Sequence, residues 1–125
     1  MKAVRRRDTK PEVEVRKLLW REGARFRLCL RDLPGTPDIV NKSARWAVFV
    51  HGCFWHGHRN CKLATTPKSN SAFWREKLAS NRRRDARKAL ALRRLGFRVL
   101  VVWQCELRDP EALVRRFSRV GVTKR

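Results

Sequence analysis

The sequence predicts an α/β domain whose elements follow the order α-β-β-β-α-β-α, and three observations carry that reading. A capped helix start stands at Thr9-Lys10-Pro11-Glu12. Three short apolar runs separated by turn residues follow it. A long stretch of helical periodicity from Ser71 towards Leu95 then leads into the apolar run Phe97 to Trp103. At 125 residues the chain is expected to form one domain, residues 1–125, large enough to bury a core without disulfides.

Residues 1–8 read as a basic arm, with Arg5-Arg6-Arg7 and no apolar periodicity. In the first helix Thr9 serves as N-cap, Pro11 sits in the first turn and Glu12 stands three residues after the cap. Val15, Leu18 and Leu19 give the buried stripe with Trp20 beside it, and Gly23 stops the helix. Phe26, Leu28 and Leu30 alternate with Arg25, Arg27, Cys29 and Arg31, the pattern of a half-exposed strand. The turn Leu33-Pro34-Gly35-Thr36-Pro37 feeds a strand from Asp38 to Asn41, and Lys42 to Arg45 connects it to a third strand, Trp46 to Val50. Those two strands predict a hairpin with Asp38 and His51 at strand ends.

Lys62 to Asn70 reads as polar loop. The long helix places Phe73, Trp74, Lys77, Leu78, Ala86, Ala89 and Leu90 at helical spacing, opposite the cations Arg82, Arg83, Arg84, Arg87 and Lys88, and Gly96 ends it. Phe97 to Trp103 is expected to be a strand buried on both faces. Asp109-Pro110-Glu111 caps and starts a last helix.

Charge narrows the function. Lys+Arg 32 against Asp+Glu 11 gives a net charge of +21, which calls for a polyanion such as DNA or RNA. Charge alone would equally suit a ribosomal or nucleoid binder. No apolar run approaches the roughly 18 residues that span a bilayer. The start Met1 to Arg7 lacks the apolar core of a signal peptide, so a cytoplasmic, reducing compartment is expected.

The chemistry concentrates between Val48 and Cys61, which hold all three histidines, two of the four cysteines and the pair Phe54-Trp55. Cys53, His58, Cys61 and Cys105 make a Cys₃His set suited to structural zinc, although His56 could replace His58 and buried thiols can also be plain core residues. Cys29 stands apart and reads as structural. Asp38, a lone carboxylate at a strand start in a basic chain, invites Mg²⁺, or is simply turn chemistry after Pro37. Glu12 is a capping-box partner or a second acid, and Asp85 a helix charge or a site residue. His51 or His56 could move a proton at neutral pH. Phe54, Trp55 and Trp74 could stack on bases or wedge between them, with a core role open for Trp74.

The run Phe49-Val50-His51-Gly52-Cys53-Phe54-Trp55-His56, with Pro37-Asp38 upstream, resembles the very short patch repair endonucleases. The likeness extends to Arg7-Asp8-Thr9, Glu12, Leu33 to Asp38, Phe73-Trp74, Asp85, Leu95 to Leu100 and Val102 to Cys105. It implies a restriction-endonuclease-like core, a mixed sheet flanked by helices with a structural zinc site. It also implies nicking of one strand 5′ of the thymine in a T:G mismatch, the product of 5-methylcytosine deamination. Asp38 would bind two Mg²⁺ ions with the Val50 main-chain carbonyl. His56 would be general base or acid, and Glu12, His51 and Asp85 would orient water, histidine or metal. Cys53, His58, Cys61 and Cys105 match the zinc ligands, and Phe54, Trp55 and Trp74 the inserted aromatics. Duplex DNA with a T:G mismatch, mismatch-repair proteins, monomeric action and a nucleoid-associated bacterial setting complete the expectation.

The chain departs from the family pattern in three places. The His58 to Cys61 gap is one residue longer, Gly57 stands where histidine is usual, and little of the family's DNA-gripping arm precedes the motif, which is expected to weaken affinity or discrimination. Two other functions stay open from residues alone: a non-catalytic zinc-stabilised DNA-binding module, and a restriction-linked endonuclease of different specificity.

Overall fold

A computed structural model describes residues 9–58, 61–64 and 68–123; the basic arm at 1–8 lies outside them. The elements are α1 (Lys10–Arg21), β1 (Arg27–Leu28), β2 (Ile39–Asn41), β3 (Trp46–His51), α2 (Ser71–Arg94), β4 (Arg98–Trp103) and α3 (Pro110–Val120). Short 3-10 turns occupy Lys62–Ala64 and Gln104–Arg108. The order read from periodicity is therefore the order observed.

Local chemistry sets the boundaries. Thr9 Oγ1 accepts a hydrogen bond from the Glu12 N–H at 3.4 Å, capping α1. The turn between β2 and β3 is closed by Asn41, whose Oδ1 accepts from the Ala44 N–H at 2.9 Å. Asp109 accepts from the Ala112 N–H at 3.2 Å to start α3. Gly121, at φ 86°, ends it in the left-handed conformation that glycine adopts without strain.

The four strands lie in the order β1-β2-β3-β4. β1, β2 and β3 pair antiparallel, and β3 pairs with β4 in parallel through the α2 crossover, so the sheet is mixed. α1 and α3 cover one face, where Val15, Leu19, Leu113 and Phe117 pack against Ile39, Trp46, Val48, Leu100 and Val102. α2 covers the other, with Leu92 against Val40, Ala47 and Phe49. Among the described residues no helix is long and apolar enough to cross a membrane.

Three details differ from the sequence reading. β1 is two residues rather than a long alternating strand, because Cys29 turns to φ 50° and breaks the ladder. β4 stands at one end of the strand order, with Arg98 exposed and Val99 and Val101 half-buried. The strand buried along its whole length is β3, enclosed by β2 and β4 and by helices on both faces. Finally, the residues read along α2 divide: Leu78 and Ala89 are buried, together with Leu92, which that reading omits, whereas Phe73 and Leu90 are 59% and 46% exposed. α2 has 24 residues, about 36 Å, against about 20 Å for a six-residue strand. Its first turns run past the sheet and meet the loop after β3.

Leu92 is fully buried. Leu92→Ala should lower unfolding free energy by about 3 kcal/mol through lost burial and a residual cavity. Leu90→Ala on the outer face should change it by less than about 0.5 kcal/mol. Urea denaturation with an unchanged m-value would check both.

Candidate active site

The hairpin brings the first set of groups together. Asp38 immediately precedes β2, and its Oδ2 accepts the Val50 N–H from β3 at 2.7 Å. Glu12 approaches from α1, only 4% exposed, with Arg16 Nη2 3.5 Å from its carboxylate. Burial is the main reason the Asp38 pKa rises to about 6; Glu12 adds to the rise, while the Val50 hydrogen bond and the His56 and Arg16 charges oppose it. Two carboxylates held close in a dry place repel each other, and a divalent cation relieves that repulsion. Glu12 is thus more than a capping residue: its N–H is capped by Thr9 while its side chain is buried near Asp38.

The second set lies where β3 ends. His51 closes the strand on the α2 side, His56 arrives from the following loop, and Asp85 comes from the middle of α2. His56 Nδ1 donates to Asp85 Oδ2 at 2.6 Å, and His51 Nδ1 lies 4.0 Å from the same oxygen. The two imidazoles stack with centroids 3.8 Å apart and planes 3° apart. Burial, then the neighbouring His56, pushes the His51 pKa down to about 4, so His51 is neutral at physiological pH. Burial pulls the Asp85 pKa up, but the His56 hydrogen bond and the charges of His51, His56 and Lys88 outweigh it and leave it lowered. The arrangement presents an oriented imidazole backed by an ionised carboxylate, with His56 Nε2 on the far side of the ring.

The loop that carries His56 is tightly wound. His56 N–H donates to Gly52 O at 3.2 Å, Gly57 N–H to Phe54 O at 3.1 Å and His58 N–H to Cys53 O at 2.9 Å. Gly57 has φ +60°, and a Cβ there would collide with the Arg82 guanidinium, which donates to Gly57 O at 3.4 Å. Arg82 fills the space that glycine leaves at position 57. The loop folds Cys53, His58 and Cys61 onto Cys105, with one ligand atom from each within 4.8 Å of the others. It is His58 that joins the cysteines, its Nδ1 3.5 Å from Cys105 Sγ, while His56 turns to Asp85. Burial pushes the Cys53 thiol up to about 12 and raises that of Cys105. Three sulfurs and one imidazole at this spacing can hold a metal ion, and the longer gap before Cys61 does not separate it from the group.

Phe54 and Trp55 from the loop meet Trp74 from α2 edge to face at 5.3 and 6.0 Å, and Phe73 adds a fourth ring at 5.3 Å from Trp74. Trp55 is 39% exposed and Trp74 half-buried in this cluster rather than in the core. Asn81 Nδ2 donates to Trp55 O at 2.8 Å, fastening the rings' backbone to α2.

Sequence reasoning missed Trp103, Arg82 and Phe73. Trp103 stacks on His58 at 4.0 Å and 9°, and meets His51 edge to face at 5.1 Å, so it stands between the two histidine groups. A cavity of about 500 Å³ opens beside it, lined by His51, His56, His58, Arg82, Asp85 and Val101 among others. Its place follows from the strand register, which no local sequence signal shows: His51 and Trp103 are paired neighbours in β3 and β4.

A strongly basic chain that sets a carboxylate centre, a histidine–carboxylate pair and exposed aromatic rings at one end of a sheet has the equipment of a DNA endonuclease. The family model described as DNA mismatch endonuclease Vsr matches residues 1–63. The type II nicking enzyme V.XorIIP of Xanthomonas oryzae pv. oryzae is 53% identical over 120 residues, 96% of this chain and 88% of that protein. The type II nicking enzyme V.NmeAIP of Neisseria meningitidis is 42% identical, covering 96% and 85%. The DNA mismatch endonuclease Vsr of Escherichia coli is 44% identical over 113 residues, covering 90% and 72%. This chain belongs to the Vsr family of DNA mismatch endonucleases.

Because the Asp38 pKa is raised, its ionised form costs stability above about pH 6, and the cost fades as pH falls towards 3.8. Asp38→Asn keeps an acceptor for the Val50 N–H and removes the charge. In magnesium-free buffer at pH 7.5 it should be more stable than the parent by about 2 kcal/mol, with the gap narrowing on acidification. A less stable variant at pH 7.5, by urea unfolding, would contradict this.

Proposed function

We propose that this endonuclease nicks one strand of duplex DNA on the 5′ side of the thymine in a T:G mismatch by Mg²⁺-dependent hydrolysis. The observation that carries the reading is the meeting of Asp38, the His56–Asp85 pair and the Phe54–Trp55–Trp74 rings around the end of β3. The relatives' descriptions, mismatch endonuclease and nicking enzyme, support single-strand cleavage at a mispair. The mixed sheet between helices suits a restriction-endonuclease-like core.

The donor set at Asp38 suits magnesium: an oxygen ligand set on one carboxylate and the Val50 carbonyl, completed by water and phosphate oxygens. Bound there as a pair, Mg²⁺ would supply charge neutralisation at the attacked phosphate and at the departing oxygen.

 

The protein's own groups do the rest. Asp85 fixes the His56 ring with Nδ1 protonated, so Nε2 takes the proton from the attacking water or returns one to the leaving oxygen. His51, neutral and stacked on His56, holds that ring in place, and Glu12 orients water beside Asp38. Cys53, His58, Cys61 and Cys105 form the sulfur-rich set that zinc prefers, a structural site tying the loop to the end of β4. Phe54, Trp55 and Trp74 wedge beside the mispair, which is cheaper to unstack than a Watson–Crick step, so discrimination begins as deformation energy. The protein acts as a monomer in the bacterial cytoplasm, in concert with mismatch-repair proteins.

The test uses duplexes labelled separately on each strand. The T strand of a T:G duplex should be nicked in Mg²⁺, with a T:A control left intact. Asp38→Ala should lower the nicking rate by about 10³-fold or more while duplex binding survives. Normal cutting by Asp38→Ala would remove Asp38 from the metal centre, and equal cutting of the T:A duplex would favour a restriction-linked specificity instead.

A further inference from the structure

The outer face of α1 carries a groove that this reaction does not use. Arg16, Lys17, Trp20, Arg21 and Phe26 line it around a volume of about 360 Å³, within the roughly 300–1,000 Å³ of ligand pockets. Trp20 is 57% exposed, yet its ring is held: the Arg25 guanidinium carbon lies 3.8 Å above the centroid, and Phe26 meets it edge to face at 6.1 Å. The result is a braced aromatic shelf with a cationic rim.

Among the described residues no carboxylate lines the groove. Glu22 and Glu111 approach from outside it and hold Arg21, at 3.1 and 3.4 Å. A ligand that suits this surface carries negative charge and a flat or apolar face together, which is the chemistry of a nucleotide chain. Position agrees with chemistry. Arg16 lines the groove, pairs with Glu12 at 3.5 Å, and its charge bears on Asp38. The groove therefore begins where the proposed cleavage centre ends.

We infer that this groove is a second DNA contact, taking the duplex that flanks the scissile phosphate, with a phosphate at Lys17 and a sugar or base edge against Trp20. The inference rests on the reading of Asp38 as the cleavage centre. Neither Trp20 nor Lys17 belongs to the aromatic cluster or the histidine groups, so the contact extends the footprint along the DNA rather than deepening the wedge.

Fluorescence anisotropy in Ca²⁺ would measure binding to a labelled T:G duplex with long flanks, and to two duplexes each shortened on one side. Trp20→Ala should weaken binding to the long duplex about tenfold, the loss of one aromatic anchor at the contact. Lys17→Gln, a surface change that disturbs no packing, should weaken it several-fold and lower the salt slope by about one. Shortening one particular flank should cost the parent protein a similar factor and cost Trp20→Ala nothing further. The inference is overturned if both variants bind the long duplex as tightly as the parent, or if shortening costs Trp20→Ala as much as it costs the parent. Nicking by the parent in Mg²⁺ is scored in parallel. A fault in the cleavage reading then shows as an uncut duplex, and a fault in the groove as unchanged anisotropy.

Discussion

The parallel pairing of β3 with β4 decides where the Cys₃His group and the histidine loop fall. Its register sets His51 beside Trp103, and two residues further along each chain stand Cys53 and Cys105. The Cys₃His group can close only because the two strands leave the sheet side by side in the same direction. With Cys53 fixed, the loop winds through its own hydrogen bonds and delivers His56 to Asp85 and His58 to Cys105. Trp103 fills the space between the two imidazole groups, so packing on one side is felt on the other. The turn that carries Cys105 is itself pinned: the Trp103 N–H donates to Glu106 Oε1 at 2.9 Å, and Arg116 from α3 pairs with the second oxygen of Glu106.

Electrostatics complements that scaffold. In a chain of net charge +21 the few acids are not spread evenly. Glu12, Asp38 and Asp85 are at least partly buried around the end of β3, and Asp38 is held against its preference for ionisation by burial. The basic surface draws DNA in from a distance, whereas the acidic interior is unfavourable until a cation and a phosphate share it. Instability at the centre and affinity at the surface are two parts of one arrangement.

Much of this was legible in the residues. Thr9 and Asp109 announce their helix starts because a side-chain oxygen next to free backbone N–H groups has one obvious use. The C-x₄-H-x₂-C spacing from Cys53 to Cys61 marks a group able to hold a metal, since ligands that close in sequence need only a tight loop to converge. What periodicity could not show was where an element stops being covered. Phe73 and Leu78 both fit the helical pattern of α2, yet Leu78 is buried and Phe73 is exposed, because the first turns of α2 outrun the strands. Trp103 read as the end of a core strand, and its role depended on a pairing register that no local pattern encodes. Arg82 was one cation among many on α2, distinguished only by the space that Gly57 leaves open.

The central claim, that a sulfur-rich metal site anchored across the β3 and β4 ends holds the catalytic loop, is tested most directly by X-ray absorption at the zinc edge on purified protein. The account predicts one zinc per chain, bound by three sulfurs at about 2.3 Å and one nitrogen at about 2.0 Å. A folded, nicking-competent preparation with no zinc, or with zinc in a shell lacking sulfur, would contradict it.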